Sequence, residues 1–595
     1  MLQHNTEAQN LNPHWRLPTR RAACWHRCKV IGHRILRGVK NILDGPRCIH
    51  PSDPLQDAPV IAEHRSSLWL DGREDEFLLR CGKVENLRVA VSAFHGVVVP
   101  ANAVLSFWRQ LGKPVRRRGF VIGREIVNGC VVPTLGGGLC QLSNALASAA
   151  SQAGIELIER HHHSASIEGQ QMTTLVDATV AWNYVDLRLS AEVSFRIEAW
   201  LSRDELVVRI RARKPGSADP SPAQLITRQP QESRPVARGC LTCDESKCFL
   251  YRRGERPLAA RTAVLVNEYQ PELQRWLQAN TQQPDWMLPW LRPSRRAKGW
   301  LTTDSRSVAF ARFASWKRML WAYLSSGEGG SRQTLRTHSA LWLAKAYARK
   351  LKPEHIELVI SQDLLVPLWR LGVLAGREVT VLVSELPAST LQQRLDLAAS
   401  QHPQAQSLVD FRVDERWQTD EWAALAYGKR LLTPHRQIHR ILTEAGLTAQ
   451  WLPWVIPDVS TPVAGRSSSD SPLTLVLAAS ALARKGADDV LAVARKLKAR
   501  VLVLGSPPAN QAAWAAIDWQ QVGYASDWPT QADVVVLPAY IEHQPRALLQ
   551  ALAMGLPVVA STACGLTAQP GLMEIEAGDT QALEQAIRSL VWAQT

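Results

Sequence analysis

Apolar runs alternate with helix-forming segments through the second half of the chain. Runs that are apolar on both faces predict parallel strands covered by helices on both sides. A serine-rich stretch at 465–472 separates two such series, so we expect two doubly wound domains at 257–464 and 465–595, whose ligands bind outside the carboxyl ends of the strands. The predicted strands are 261–268, 356–360, 379–383, 473–477, 500–505, 532–538 and 556–561.

The first half of the chain has a different pattern. Residues 191–197 and 205–210 alternate apolar and polar positions, which predicts a β-hairpin. A predicted helix from 141 that ends near Gly154 precedes a predicted strand at 155–159. We therefore expect an α+β domain over 60–213, followed by a polar, proline-rich linker with several cysteines at 214–256.

Residues 15–43 combine apolar and basic positions at helical spacing, after a polar arm at 1–14 that we expect to be disordered. Two interpretations stay open for this basic amphipathic helix, which with its linker covers 15–59. It docks on the protein's own core, or it lies on an anionic membrane surface. The apolar stripe is Cys28, Ile31, Ile35, Val39 and Ile42.

The composition narrows the class of protein. The 595 residues are 46% hydrophobic and 21% charged, with a net charge of +15. A basic balance favours anionic partners such as phosphate groups or a membrane face. No nucleic acid is expected, because no reading motif accompanies the charge. Without an apolar segment long enough for a membrane span or a signal core, we expect a cytoplasmic chain, peripheral at most at the inner face of the membrane.

A glycine triplet at 136–138 precedes Cys140, which the pattern places at a helix N-terminus. The helix dipole and unpaired amides there favour a thiolate. His161 or His163 is the candidate base, and Asp177 the candidate residue that orients the imidazole. The alternative is a structural or binding role for a cysteine that is simply a small apolar side chain.

Three further cysteines lie close together in the predicted linker. Their C-x2-C-x4-C spacing suits zinc or an iron–sulfur cluster, with zinc favoured. No fourth ligand is evident nearby, so a surface loop with free thiols remains the alternative. The candidate metal ligands are Cys240, Cys243 and Cys248.

The motifs of the first half resemble those of the VanW family over roughly 60 to 215. The resemblance implies a domain but no settled activity, so the Cys140 chemistry has to be argued from its residues. The motifs are 106–108 (SFW), Gly112, 119–120 (GF), 128–129 (NG), 136–141 (GGGLCQ), 159–164 (ERHHHS), 177–180 (DATV) and 186–187 (DL).

The second half resembles a GT-B glycosyltransferase of the family 4 type over roughly 257 to 595. The motifs are clearest in 482–486 (LARKG), 533–545 and 551–560. The resemblance implies that a nucleotide sugar binds the C-terminal domain. Lys485 would bind the diphosphate together with the start of a helix that we expect at His543, and Glu542 would contact the donor sugar.

Two positions depart from the family's pattern. Gln550 stands where the family has a second glutamate that contacts the ribose, although a glutamine can still accept that hydrogen bond. Ser480 stands where the family has an arginine, and Arg484 is the candidate substitute for the lost phosphate contact.

The sequence as a whole therefore predicts an α/β multidomain protein, with an α+β VanW-like domain followed by two Rossmann-like domains in GT-B arrangement. We expect a retaining glycosyltransferase that moves a sugar from a nucleotide-sugar donor to a cell-envelope or lipid-linked acceptor. Two alternatives remain open: a non-catalytic relative that acts by binding a partner, and Cys–His thiol chemistry on an envelope precursor.

Overall fold

The computed structural model divides into two compact units. The first comprises residues 1–261 with 352–356 and 372–377, and the second comprises 262–351, 357–371 and 378–595. The structure describes residues 19–44, 48–52, 55–69, 76–127, 130–162, 177–213, 238–239, 248, 260–289, 299–324, 329–403, 405, 408, 412–457, 472–508, 510–524 and 527–592.

The described part of the first unit is built from small, mainly antiparallel sheets and three long helices, two of which pack on one apolar core. Its elements are α1 (Arg20–Asp44), β1 (Val60–Ser67), α2 (Phe77–Val91), β2 (Val97–Val99), β3 (Leu105–Ser106), α3 (Phe107–Leu111), β4 (Ile122–Val127), β5 (Cys130–Leu135), α4 (Cys140–Gln152), β6 (Glu156–Glu159), β7 (Arg188–Ser190), β8 (Phe195–Leu201), β9 (Glu205–Ala212) and β10 (Arg238–Gly239).

The sequence predicted one antiparallel pair of this unit, although its first strand lies at 195–201 and not at the expected 191–197. Strands β8 and β9 form the expected antiparallel hairpin and lie inside a four-stranded sheet of order β1-β9-β8-β2. Helix α4 and strand β6 also lie where the sequence placed them. One feature was not expected: β10, in the predicted linker, pairs in parallel with Cys130 and Val131 of β5.

The second unit contains two parallel sheets, and the first of these has seven strands in the order β13-β12-β11-β14-β15-β16-β17. Its elements are β11 (Arg261–Leu265), α5 (Pro271–Asn280), β12 (Asp285–Pro289), β13 (Ser307–Ala311), α6 (Arg312–Leu324), α7 (Gly329–Ala348), β14 (His355–Ser361), α8 (Leu365–Arg370), β15 (Glu378–Leu382), α9 (Ala388–Gln401), α10 (Glu415–Tyr427), β16 (Arg430–Thr433), α11 (Arg436–Glu444) and β17 (Ala449–Trp451).

The second sheet has six strands, and all of its neighbouring pairs run parallel. Its order is β20-β19-β18-β21-β22-β23. Its elements are β18 (Thr474–Leu477), α12 (Ala487–Leu497), β19 (Arg500–Val503), α13 (Gln511–Trp514), β20 (Trp519–Gln521), β21 (Val534–Leu537), α14 (Arg546–Ala553), β22 (Val558–Ser561), β23 (Leu572–Ile575) and α15 (Thr580–Trp592).

Both sheets have the Rossmann strand order. Counted within its own domain, the second sheet reads 3-2-1-4-5-6, which is the order of dinucleotide-binding folds. Every residue of β18, β21 and β22 is buried, because helices cover both faces of these strands. The predicted doubly wound architecture is confirmed.

Helix α1 docks on the first unit, but not in the way that its sequence suggested. Polar side chains make contacts such as Arg37 to Glu159, and Val30 is buried. However, Ile31, Ile35 and Val39 of the apolar stripe face solvent. In the part of the chain that the structure describes, no helix is both long and apolar enough to cross a bilayer.

Two glycines in the second sheet's domain offer a matched stability test. Gly486 and Gly555 both have φ near the left-handed region, +73° and +79°. A Cβ on Gly486 would lie 2.3 Å from the Pro538 carbonyl oxygen, whereas a Cβ on Gly555 would meet nothing within 4 Å. Gly555→Ala should therefore cost about 1 kcal/mol of unfolding free energy, the strain of a left-handed alanine.

Gly486→Ala should lower the free energy of unfolding by about 2 kcal/mol more than Gly555→Ala does, because the Pro538 carbonyl has to move as well. The measurement is chemical denaturation of the two variants beside the unmodified chain. Equal losses in both variants would contradict the predicted clash.

Candidate functional site

The candidate site lies where the strand order of the second sheet reverses. Strands β18 and β21 are neighbours there, and the chain leaves their carboxyl ends in opposite directions along the sheet. A crevice forms at such a point in open parallel sheets and is where they bind ligands. The loop after β18 carries Ser480, Arg484 and Lys485, and the loop after β21 carries Glu542 and His543.

Lys485 and Glu542 meet across this switch point. The Lys485 Nζ lies 3.0 Å from the Glu542 Oε2 and also donates to the Ile541 carbonyl oxygen at 2.8 Å. Burial acts to raise the pKa of Glu542, but the Lys485 charge and the Gln544 amide outweigh it, so this pKa lies below its ordinary value. Glu542 therefore stays ionised at neutral pH.

Backbone geometry fixes the position of Lys485. The chain makes one 3-10 turn at Ala483–Lys485 and closes it with Gly486 in the left-handed region. The Tyr540 amide donates to the Arg484 carbonyl oxygen at 3.0 Å, which ties the two loops together. The Arg484 side chain itself is half-buried.

Helix α14 begins at Arg546, so the predicted helix start at His543 is wrong by three residues. Residues 543–545 form a loop that ends in Pro545, whose fixed φ suits a helix entry. The His543 ring instead accepts a hydrogen bond from the Leu386 amide at 3.2 Å through Nε2. Gln550 lies on α14 and is half-buried.

Ser480 occupies a confined position. Its Oγ accepts a hydrogen bond from the Ser506 amide at 2.9 Å. A Cβ on Gly505 would lie 2.4 Å from that same oxygen, so the loops after β18 and β19 approach closely here. A serine fits this contact, and its hydroxyl is already engaged with the neighbouring loop.

An ion pair joins the two Rossmann-like domains. The guanidinium of Arg546, at the start of α14, makes two 2.7 Å hydrogen bonds to the carboxylate of Glu272 in the first turn of α5. The same carboxylate accepts from the Val455 amide at 2.9 Å, and the guanidinium lies 5.3 Å from the centre of the Trp454 ring. A bidentate pair of this kind fixes orientation as well as distance.

His435 makes a second connection between the two domains. Its Nδ1 accepts from the Ile438 amide and caps α11, and its Nε2 lies 2.8 Å from the Glu542 carbonyl oxygen. The Nε2–H tautomer satisfies both contacts. Burial, assisted by the neighbouring His543, lowers the pKa of His435 to about 4, so the ring is neutral at pH 7.

The sequence-based reasoning did not identify Glu272, His435 or Arg546 as site residues. His435 lies just beyond the carboxyl end of β16, which is the edge at which sheets of this kind bind ligands. No local pattern pairs Glu272 with Arg546, because they are 274 positions apart.

Cys140 is the first residue of helix α4, as predicted. Its Sγ lies 3.6 Å from the Thr179 Oγ1 and 3.8 Å from the Val180 carbonyl oxygen. The His161 Nε2 contacts the Glu159 carboxylate at 3.1 Å instead. The contacts of the described residues thus place Cys140 beside Thr179, and the Cys–His reaction stays a prediction.

Glu159 is the charged centre of this region. Besides His161 it binds Arg37 at 2.8 Å and lies 3.3 Å from Arg188. Glu159 and His161 are two positions apart on an extended segment, so both side chains point to one face. Sequence reasoning did not name this contact of His161 with Glu159. Asp177 is buried, and its orienting role stays a prediction.

Three predicted site residues lie outside the described residues, namely His163, Cys240 and Cys243. Cys248 is described and half-buried, with a free thiol. Among the residues that the structure describes, no three histidine, cysteine or acidic side chains converge to hold a metal ion. The zinc or iron–sulfur hypothesis therefore remains a prediction.

The neutral His435 should make stability depend on pH. Its pKa is about 4 in the folded protein, against an ordinary value of 6.5 for an open chain, so the unfolded state takes up the proton first. The stabilisation is complete above pH 6.5 and is lost as the pH falls toward 4, by up to about 3 kcal/mol.

His435→Gln should flatten this acid slope while it lowers stability at pH 7, because the contacts of the imidazole ring are lost. The measurement is unfolding of both proteins from about pH 7.5 to about pH 4.5, the range in which the two states differ in proton uptake. An unchanged acid slope in the variant would assign the effect to other groups.

The comparisons with known families match both halves of the chain. Residues 82–211 match the family described as VanW like protein. Residues 473–592 match the family described as glycosyl transferases group 1, and this range contains every member of the switch-point site from Ser480 to Gln550.

Two curated relatives match the VanW-like region. The uncharacterized protein YoaR of Bacillus subtilis is 32% identical over 17% of this chain and 33% of its own length. The vancomycin B-type resistance protein VanW of Enterococcus faecalis is 26% identical over 21% of this chain and 46% of its own. The chain thus spans less than half the length of either relative.

Among solved structures, the sucrose-phosphate synthase of Thermosynechococcus elongatus is 16% identical to the chain. The match covers 56% of this chain and 90% of that protein, with a TM-score of 0.40. The two family matches confirm the VanW-like domain and the glycosyl transferases group 1 domain that the motifs predicted, and the strand orders confirm two Rossmann-like domains. The chain joins a VanW-like domain to a glycosyl transferases group 1 domain, and the latter is the second of two Rossmann-like domains.

Proposed function

We propose that the second unit is a retaining glycosyltransferase of the family 4 type that takes its sugar from a nucleotide-sugar donor. The observation that carries the proposal is the position of Lys485 and Glu542 at the topological switch point. A cation and a carboxylate meet there beside the start of α14. Diphosphate needs positive charge and amide donors, and a sugar needs acceptors for its hydroxyl groups.

Each residue has a role in this proposal. The Lys485 ammonium and the first amides of α14 stabilise the diphosphate as it leaves. Glu542, held in its charged form, accepts hydrogen bonds from the donor sugar. Gln550, one turn along α14 from its start, accepts from the ribose. Binding of the diphosphate competes with the existing Lys485–Glu542 ion pair.

The acceptor is proposed as a chemical class. We propose a cell-envelope or lipid-linked acceptor, reached from the cytoplasm at the inner face of the membrane, because the VanW-like half is similar to a protein named for vancomycin resistance. The acceptor would enter over the loops after β11 and β14. Those loops carry Asn267 and Asp363, which are joined by a 2.6 Å hydrogen bond.

One observation favours a second candidate function, binding without catalysis. Ser480 supplies no positive charge at the phosphate position, and Arg546 is committed to Glu272. Lys485 contacts Glu542. Without an arginine at position 480, the affinity of this site for a diphosphate would be reduced. These features are expected of a recognition module, that is, a domain that keeps the fold and binds a partner without catalysing transfer.

Donor binding is the first test of the proposal. UDP, GDP, ADP and their common sugars should be screened by thermal shift on the full chain. One nucleotide class should raise the melting temperature, since a ligand that binds only the folded state stabilises it. Lys485→Ala should remove most of this shift, whereas Lys496→Ala should keep it.

Lys496 is the matched control because it lies on α12 in the same domain and is paired with Glu584 at the surface. No shift with any nucleotide at millimolar concentration would favour the recognition module. A shift that survives Lys485→Ala would place the donor elsewhere.

Glu542→Gln should separate binding from transfer. The change removes a charge but keeps an acceptor oxygen, and it releases Lys485 from its ion pair. The variant should bind the nucleoside diphosphate at least as tightly as the unmodified chain, while sugar transfer or donor hydrolysis falls by about tenfold or more. Weaker diphosphate binding together with unchanged turnover would contradict both assigned roles.

A further inference from the structure

The docked face of helix α1 carries polar side chains and one buried apolar residue, Val30. Arg34 donates to the Trp182 carbonyl oxygen at 3.0 Å, and Arg37 donates to the Glu159 carboxylate at 2.8 Å. Asn41 accepts from the Arg188 guanidinium at 2.7 Å. These positions are three and four residues apart, so they form one stripe along the helix. Their partners lie on or beside β6 and β7, which fixes the orientation of the helix.

The opposite face of α1 is apolar and exposed. Ile31 is 55% exposed and Ile35 is 62% exposed, and Val39 continues the same stripe toward the end of the helix. Trp25 and Leu36 lie on its edge and are exposed as well. An ordinary surface helix turns such a stripe inward, so this arrangement is the reverse of the usual one.

Basic side chains flank the apolar stripe. Arg20, Arg27 and Lys29 are exposed, and the Lys29 Nζ lies 5.2 Å from the centre of the Trp25 ring. No aspartate or glutamate occurs between Arg20 and Leu43. An apolar stripe edged by tryptophan and cations, without acids, has the chemistry of a helix that lies in the interface of an anionic bilayer.

We propose that the outer face of α1 binds the surface of an anionic phospholipid bilayer, with its helix axis in the membrane plane. The apolar stripe enters the boundary between headgroups and acyl chains, and the flanking cations meet lipid phosphates. The polar face holds the first unit against the helix at the same time. The proposal stands independently of sugar transfer, because it uses only residues of the first unit.

The charge pattern favours a bilayer over a second copy of the chain. If two copies of the chain met through this face, the basic residues of one helix, such as Arg27 and Lys29, would lie against those of the other. Neither helix has an acid in this stripe to compensate the repulsion. Ile31, Ile35 and Val39 share one face of the helix, which also suits a flat surface. Each cation near an anionic membrane contributes attraction that salt weakens.

The test is co-sedimentation of the full chain with phosphatidylglycerol vesicles and with phosphatidylcholine vesicles. The unmodified chain should sediment with phosphatidylglycerol and much less with phosphatidylcholine. The double variant Ile31→Glu, Ile35→Glu should bind about tenfold more weakly or worse, because two charges enter the apolar stripe. Its fold should be intact because both side chains are already in solvent, which an unchanged melting temperature confirms.

Two controls accompany the double variant. Leu397→Glu changes another exposed apolar side chain, 60% exposed on α9, and should leave vesicle binding unchanged. Ile31→Leu, Ile35→Leu keeps the apolar stripe and should also bind normally.

Three results would overturn the proposal. The first is a chain that stays in the supernatant with phosphatidylglycerol at millimolar lipid. The second is a double glutamate variant that sediments as well as the unmodified chain. The third is a lipid-free dimer that the double variant converts to monomer, which would assign the face to a second copy instead.

Discussion

The parallel pairing of β18 with β21 is the constraint on which the transferase half depends. Both strands are buried along their whole length, so polar groups are excluded from the sheet and concentrate at its carboxyl edge. The two strands are consecutive in space but not in sequence. Their loops therefore diverge and leave a crevice, and the crevice is where a charge pair can meet a ligand.

Charge compensation governs how this crevice is built. Lys485 is neutralised by Glu542 and Arg546 by Glu272, while His435 carries no charge. Each arrangement avoids an unpaired charge in a poorly solvated place. A diphosphate would have to displace the Glu542 carboxylate from Lys485. A ligand with little negative charge would therefore compete poorly for this lysine.

Charge compensation also acts in the VanW-like half, where it sets the orientation of a helix. Glu159 is surrounded by Arg37, Arg188 and His161, and the first of these lies on α1. The half-buried Glu159 carboxylate thus holds the polar face of α1 against the domain. Hydrophobic burial alone would have placed the apolar face of the helix there instead. The pairing fixes which side of α1 meets solvent, and that choice gives the helix its exposed stripe.

Local pattern determined much of this protein. The extent of α4, the β8–β9 hairpin and the buried parallel strands follow from periodicity, because each depends on neighbours in sequence. The motifs around Lys485 and Glu542 also located the switch-point site. Only the tertiary structure decided that α14 begins at Arg546, since Pro545 and the contact of His543 with Leu386 end the loop there. It also decided the Glu272–Arg546 pair and the orientation of α1, because contacts between distant segments set which face of a helix is buried and leave no periodic signal in the sequence.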